Sequence, residues 1–476
     1  MTSITASRPD VGTSLDDAPL GIFHFKAAAT AGAGFFTDSY DLNVIGTVTL
    51  LAGPQLHLGA AQTSMLTSST LLAVAVGAVS FGRLGDLLGR RRIYGLEAVL
   101  MIIGALVSAF APNFTVLLVG RLILGLGIGG DYPASGVLMT EYANTRNRGR
   151  LVGLTFVFYV FGQVTAYLVS LLVLTAGVPD DIAWRLILGI GVLPSLLVLY
   201  QRRHMPESPR WTAANGDEER ARQDFEAFTR AGNTTFAAAS GAHRQSGRIR
   251  AAVGNRRVLL TLVGTAGSWF FFNVAVYGNS VSQPLLLKSI VPHGSTVSNI
   301  AINAVLVVLF SLGGAVVGLV VLDRLPRRVL QNVGFGLCAV AMLSITVIPA
   351  LSGTVLPFAV VFGVSLFGIA VGPNYTTMLL AAESYPTAIR STFHGLSAGV
   401  AKVGAFAGAL VVPLILAGAG LRAVTLLAFG CYVAAILATF LIREPAGRAL
   451  DDIGADLDVD VPALSALSST RGHDTT

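Results

Sequence analysis

Asp38, Asp41, Arg121, Asp131 and Lys402 stand inside long apolar runs of this chain, where an ionisable side chain needs a reason to exist. A charge at the centre of a bilayer costs about 2.5–3.5 kcal/mol on insertion scales, so it is found with a partner or on a water-filled cavity. For Arg121 the simplest reading is a buried ion pair with an acid. Asp38 and Asp41 lie three residues apart and share a helix face. Two carboxylates that close repel when both are ionised, and a proton taken up and released relieves the repulsion. Asp41 has a blander role open to it, capping an interruption of its helix. Asp131 adjoins Tyr132, and Lys402 is one of only three lysines in the chain. Trp269, Asn273 and Tyr277 are spaced i, i+4, i+8, which puts an indole, an amide and a phenol on one helix face. Such a face can line a polar cavity or simply pack.

The elements that must hold these groups are membrane helices. Of the 476 residues 53% are hydrophobic and 12% charged, and the mean hydropathy is +0.70. A soluble globular chain carries about 25% charged residues. Fifty-three glycines suit helices that approach closely in lipid. The net charge of +6 is no nucleic-acid footprint, because the arginines gather at the ends of apolar runs. Cys338 and Cys431 lie singly in apolar runs, which argues against a disulfide framework or a metal site. Gly125-x-Gly127-x-Gly129-Gly130 superficially resembles a nucleotide loop, but no strand precedes it, and close helix packing explains it better. No metal-ligand cluster, cofactor motif or catalytic constellation is evident, so the chain reads as a non-enzyme.

A spanning helix needs about 20 mostly apolar residues. Twelve candidates fall near 24–51, 65–84, 93–111, 114–140, 150–176, 184–201, 257–280, 300–322, 329–349, 355–381, 394–417 and 422–442. They predict an all-α membrane protein. Its parts are an N-terminal tail (1–22, polar, with no cleavable signal), a six-helix bundle (23–201), a central loop (202–256), a second six-helix bundle (257–443) and an acidic tail (444–476). Arginines crowd the turns after helices 2, 4, 8 and 10 (Arg90–Arg92, Arg146/Arg148/Arg150, Arg324/Arg327/Arg328, Arg390), and the opposite turns 53–62 and 111–113 carry none. The positive-inside rule then places both termini and the central loop in the cytoplasm. The halves repeat at offsets of 235 to 243: Asp38 echoes Asn273, Asp86-x-x-x-Arg90 echoes Asp323-x-x-x-Arg327, Asp131-Tyr132 echoes Asn374-Tyr375, and Glu141 with Arg148 echoes Glu383 with Arg390. Duplicated bundles hold a substrate between them at mid-membrane and expose it alternately to each side. The charged residues Asp86, Arg90, Glu141, Arg148, Asp323, Arg327, Glu383 and Arg390 fall at the cytoplasmic helix ends, as ion pairs that latch helices and must part when that side opens. Glu97 reads as a structural partner of Arg90–Arg92.

These residues carry a resemblance. Gly82-Arg-Leu-Gly-Asp86-Leu-Leu-Gly89-Arg90-Arg91-Arg92 resembles the helix 2–3 loop motif of the major facilitator superfamily, and Met205-Pro-Glu-Ser-Pro-Arg210-Trp211 resembles a motif of its sugar-porter-like branch. Gly129-Gly130-Asp131-Tyr132-Pro133 with Glu141-Tyr142-Ala143-Asn144, Phe35 to Asp41, Gly372 to Thr377 and Arg390 to Lys402 resemble the phosphate:proton symporter family. The resemblance runs from about residue 22 to 445. It implies the major facilitator fold in the cell's inner membrane, proton coupling through Asp38, Asp131 and Asp41, and a substrate site of Tyr132, Tyr159, Gln163, Trp269, Asn273, Tyr277, Asn374 and Lys402. The implied partners are a small anion, inorganic phosphate first, protons and the lipid bilayer, with a monomeric chain and no nucleic acid. Asn273 stands where that family carries an aspartate and Tyr159 where it carries a glutamine. Carriage of another anion, export of an organic acid or drug, and a non-transporting nutrient sensor remain open alternatives.

Overall fold

The computed structural model describes residues 20–448 apart from 145, 215–216, 218, 222, 225–251, 291–295, 352–354 and 388. Most of the N-terminal tail, the arginines at 230, 244, 248 and 250, and nearly all of the acidic tail therefore lie outside the described residues. Within them the regular elements are helices. They are α1 (Ile22–Gln55), α2 (Ala60–Leu88), α3 (Arg90–Ala109), α4 (Phe114–Tyr142), α5 (Arg148–Thr175), α6 (Asp180–Arg202), α7 (Arg256–Ile290), α8 (Ile300–Val321), α9 (Arg327–Val347), α10 (Val355–Glu383) and α11 (Arg390–Thr439). A short helix, Pro209–Ala214, follows α6. Among the described residues, α2 to α11 are long and apolar enough to cross a membrane, ten in all. α1 is 34 residues long, but Asp38, Asp41 and Asn43 interrupt its apolar run.

Local chemistry sets the breaks. Gly89 adopts φ 96° between α2 and α3, a left-handed conformation that side chains with a Cβ resist. Asn113 caps α4 by accepting from the Val116 amide at 3.0 Å. α10 is interrupted at Gly372, where Pro373 starts a new helical segment with no amide to satisfy. α11 is 50 residues long and broken at Gly420, with φ 75°. That break falls within the expected gap at 418–421.

α1 packs on α5, and α4 on both α2 and α3; α7 and α9 pack on α11, and α10 on α8 and α9. The glycine run of α4 is what brings three helices together. A Cβ on Gly125 would stand 2.7 Å from the Thr70 carbonyl oxygen of α2, and one on Gly127 would stand 2.7 Å from the Glu97 carbonyl oxygen of α3. Gly129 presses on α2 and Gly130 on the Glu97 side chain of α3 and on Phe81 of α2. Small residues admit the backbone contact that drives helix association where lipid is as apolar as leucine. Leu172, Leu356 and Leu414 are accordingly exposed on the outer face. Between the two sets of helices, α2 and α4 lie against α11 and α5 lies against α8. The site forms in that seam.

Candidate functional site

Lys402 projects from α11 into the seam and is buried. Its Nζ donates to the hydroxyls of Tyr132 (α4) and Tyr277 (α7), both at 2.9 Å. The same ammonium sits 4.4 and 4.7 Å from the two ring centroids. Tyr159 of α5 stands close to Tyr277 and within electrostatic reach of Lys402, and Trp269 stands edge-on to Tyr132 with centroids 6.2 Å apart. Among the described residues Lys402 makes no ion pair with a carboxylate; hydroxyls are its partners. A buried cation held only by neutral groups attracts an anion without having to leave a counter-ion first.

The other expected lining residues do more local work. Asn273 donates to the Ala401 carbonyl at 3.0 Å, so its amide staples α7 to the turn that carries Lys402. Gln163 donates to Asn43 at 3.3 Å and joins α5 to α1. Asn374 is half-buried, one residue after the Pro373 break.

The three aspartates differ. Asp38 is fully buried one turn beyond Gly34 on α1, and among the described residues neither carboxyl oxygen has a hydrogen-bond partner. It lies within electrostatic reach of Asp131, Lys402 and Asp41. Asp41 is also buried with both oxygens unpartnered. Arg121 donates to its backbone carbonyl at 2.9 Å rather than to its carboxylate, which corrects the simple side-chain pair expected for Arg121. Asp131 is already engaged: its Oδ1 accepts from Arg202 and from Ser135, each at 2.5 Å. Arg202 also pairs with Glu97, and its guanidinium stacks 4.2 Å over Tyr94. Glu97 is therefore not the partner of Arg90–Arg92. It sits two turns into α3 and faces α4 and α6, away from the arginines at the helix start. A side chain at Gly34 would collide with both the Arg202 guanidinium and the Asp131 carboxylate, so that glycine makes room for the cluster beside Asp38.

Below this level a latch ties the bundles together twice, once in each half of the repeat. Arg90 bonds Asp86 and Glu141, each at 3.0 Å, and Arg390 of α11 reaches Glu141 at 3.4 Å. Asp86 accepts from the Thr392 amide at 2.7 Å and hydroxyl at 2.6 Å, at the first turn of α11. In the second half Arg327 bonds Asp323 at 3.2 Å and Glu383 at 3.7 Å, and Arg148 of α5 reaches Glu383 at 3.9 Å. Asp323 accepts from the Arg150 amide at 3.0 Å, at the first turn of α5. Each aspartate thus satisfies orphan donors at a helix N-terminus of the opposite bundle, where the helix dipole favours an anion. Glu207 does the same for α3 through the Arg90 amide at 2.9 Å, and Glu444 for α9 through the Arg327 amide at 2.8 Å. Burial drives the Glu207 carboxyl above its ordinary range, and the Ser208, Arg90 and Arg91 amides with the Arg90 charge pull it part of the way back. Arg121 stands apart from the latch, in the other half of the first bundle.

The model of the sugar (and other) transporter family matches residues 27–457. The chain belongs to this family. The transporter is 31% identical over 515 residues to the repressible high-affinity phosphate permease of Neurospora crassa, covering 94% of this chain and 89% of the permease. It is 31% identical over 521 residues to inorganic phosphate transporter 1-6 of Oryza sativa subsp. japonica, covering 96% and 97%. Among solved structures it shares the fold of the major facilitator superfamily proton:xylose symporter XylE bound to 6-bromo-6-deoxy-D-glucose, with a TM-score of 0.79 at 21% identity, covering 92% of this chain and 99% of that one. The inward-open xylose transporter XylE from E. coli gives 0.64 at 20% identity, covering 90% and 99%. The chain is a transporter of the major facilitator superfamily and not an enzyme.

Arg202, Tyr94, Ser135, Thr392 and Glu444 were not anticipated in the transporter's site or latch. Arg202 ends α6 and reads in sequence as the first loop arginine; the signal for it was Asp131, a buried acid that needed a cation. Glu141 now has two arginines on one carboxylate. Removing one partner of a buried ion pair costs about 3–5 kcal/mol, because the remaining charge is left uncompensated. Glu141→Gln is therefore expected to open the latch. A cysteine at Ser391, buried in the wild-type seam, should react with an impermeant maleimide at least tenfold faster in the mutant. An unchanged rate would show that the latch does not hold this face shut.

Proposed function

We propose that the transporter carries a small anion, inorganic phosphate first, together with protons by alternating access. The observation that carries this reading is Lys402, a buried cation with hydroxyl partners from both bundles and no carboxylate. The relatives at 31% identity, a phosphate permease and an inorganic phosphate transporter, favour phosphate. On this reading α1 and the two parts of α11, divided at Gly420, bring the crossings to twelve. The bundles span 23–201 and 257–443, and the termini, the 202–256 loop and the latch face the cytoplasm of a monomeric protein in the cell membrane.

The anion enters from outside and takes over the donors that now hold one another: Lys402, Tyr132, Tyr277 and Tyr159, with Asn273 and Asn374 beside them and Gln163 and Trp269 at the margin. Asp38 accepts a proton, Asp131 and Asp41 being the further candidates. Protonation removes repulsion between carboxylate and anion, so each ligand raises the affinity for the other. Rocking of the bundles about the loaded site parts the latch and releases both inward.

Competition uptake in proteoliposomes tests the substrate. Labelled phosphate should enter down an imposed proton gradient, and sulfate should compete because Asn273 adds a donor and no charge. Asn273→Asp puts a carboxylate beside the anion, so it should sharpen the preference for phosphate, which carries a proton near neutral pH, over sulfate by several-fold. If an aromatic carboxylate competes and neither inorganic anion does, the phosphate reading fails.

A further inference from the structure

His394 is fully buried, and among the described residues neither ring nitrogen has a hydrogen-bond partner. Buried polar groups are nearly always satisfied, so an orphaned imidazole needs an explanation. Its place in the transporter supplies one. His394 lies one helical turn above Arg390 of the latch and two turns below Lys402, about 6 and 12 Å along α11 at 1.5 Å per residue. Its ring meets the edge of Trp269 with centroids 5.8 Å apart, and Trp269 in turn meets Tyr132 of the cage. Trp269 therefore divides the cage from His394. Across the seam His394 faces α4: a Cβ on Gly136 would stand 3.5 Å from Nε2 and 3.0 Å from the sulfur of Met378 on α10. The imidazole is thus enclosed by an indole, a glycine and a thioether, none of which satisfies its nitrogens, on a surface that separates when α4 and α11 part.

We propose that His394 is an inner anion subsite, the station between the Lys402 cage and the latch on the cytoplasmic route. The proposal rests on the anion-transport reading above. With the latch closed the subsite is sealed beneath Trp269. When the seam opens, water and the anion reach the imidazole, which offers one N–H donor when neutral and two when protonated. An anion released from Lys402 then passes to a second donor one step nearer the exit, rather than going directly into water. No covalent step is involved.

The test compares the two faces of the full-length protein in right-side-out and inside-out membrane vesicles, with labelled inorganic phosphate as the probe. Orientation is verified by impermeant thiol labelling of cysteines at His57 and His204, both exposed and at opposite ends of the helices. His394→Ala is expected to raise KM at least fivefold for phosphate presented to the cytoplasmic face and to change KM at the outer face less than twofold. His394→Gln, which keeps an amide donor, should recover most of the loss. His394→Phe keeps the ring contact with Trp269 and should behave like alanine, so the test survives if the alanine variant does not accumulate. Equal changes on both faces, or none on the cytoplasmic face, overturn the proposal while leaving the transport reading intact. Wild-type vesicles that move no phosphate from either face overturn that reading and this one with it.

Discussion

Lys402→Ala is expected to abolish phosphate uptake while leaving the protein as stable as wild type or more so. The two halves of this expectation come from the same geometry. A buried ammonium with neutral partners pays a desolvation cost that two tyrosine hydroxyls offset only in part. Removing it relieves that cost and breaks no ion pair, because among the described residues Lys402 bonds no carboxylate. The tyrosines can then bond to one another or to water in the cavity. The anion loses its cation, and hydrogen bonds to charged groups are worth about 1.5–3 kcal/mol each. A loss of about 2.7 kcal/mol is a hundredfold in kcat/KM, and a site with one cation should lose at least that. Lys402→Arg should rescue poorly, because a planar guanidinium cannot take the ammonium's place between two phenol oxygens. Uptake kinetics and a thermal unfolding curve on the same preparation decide it. A variant that loses stability and activity together would mean that Lys402 is structural.

The fold was legible because hydropathy reports helices directly and arginines mark their ends. The break at 418–421 was visible in sequence as a dip in hydropathy and is a left-handed Gly420 in the structure. Much of the cage was legible too, since Trp269, Asn273 and Tyr277 follow from one spacing and Lys402 from the scarcity of lysine. Partners across the molecule were not. Nothing in one dimension says that Glu97 faces Arg202 rather than Arg90, seven residues away, because the choice depends on which side of α3 meets α4. The repeat foretold that Glu141 and Glu383 are equivalent, yet not that each is gripped by an arginine of the opposite bundle. Asn273 shows the same limit: the sequence put its amide on the cavity face, and the Ala401 carbonyl of a neighbouring helix takes one of its two N–H donors.

The cage and the latch are coupled through α11, which carries Arg390, His394 one turn on and Lys402 two turns further, and through α4, which carries Tyr132, Asp131 and Glu141. A proton must act on that pair of helices if it is to drive the cycle, and Asp38 stands where it can. Asp38→Asn is expected to leave phosphate exchange within about threefold of wild type and to eliminate accumulation against a gradient. An asparagine resembles the protonated acid, so the carrier still binds anion and still rocks when loaded. It has no carboxylate to deprotonate, so no proton is released inward with the anion and the proton gradient no longer drives the cycle. One pH unit is worth 1.36 kcal/mol per proton, about a tenfold accumulation for each proton coupled. The mutant should instead settle near equal concentrations inside and out. Because both Asp38 oxygens are unpartnered, the substitution breaks no bond and should not lower the unfolding temperature. Asp131→Asn is the contrasting case: it removes one of the two carboxylates on Arg202, so it should cost stability as well as coupling. Steady-state accumulation under an imposed pH gradient, set beside counterflow on the same vesicles, separates these outcomes. If Asp38→Asn still concentrates phosphate as wild type does, Asp38 is not the coupling carboxylate, and the next group to test is Asp41, whose oxygens are also unpartnered and whose backbone Arg121 holds.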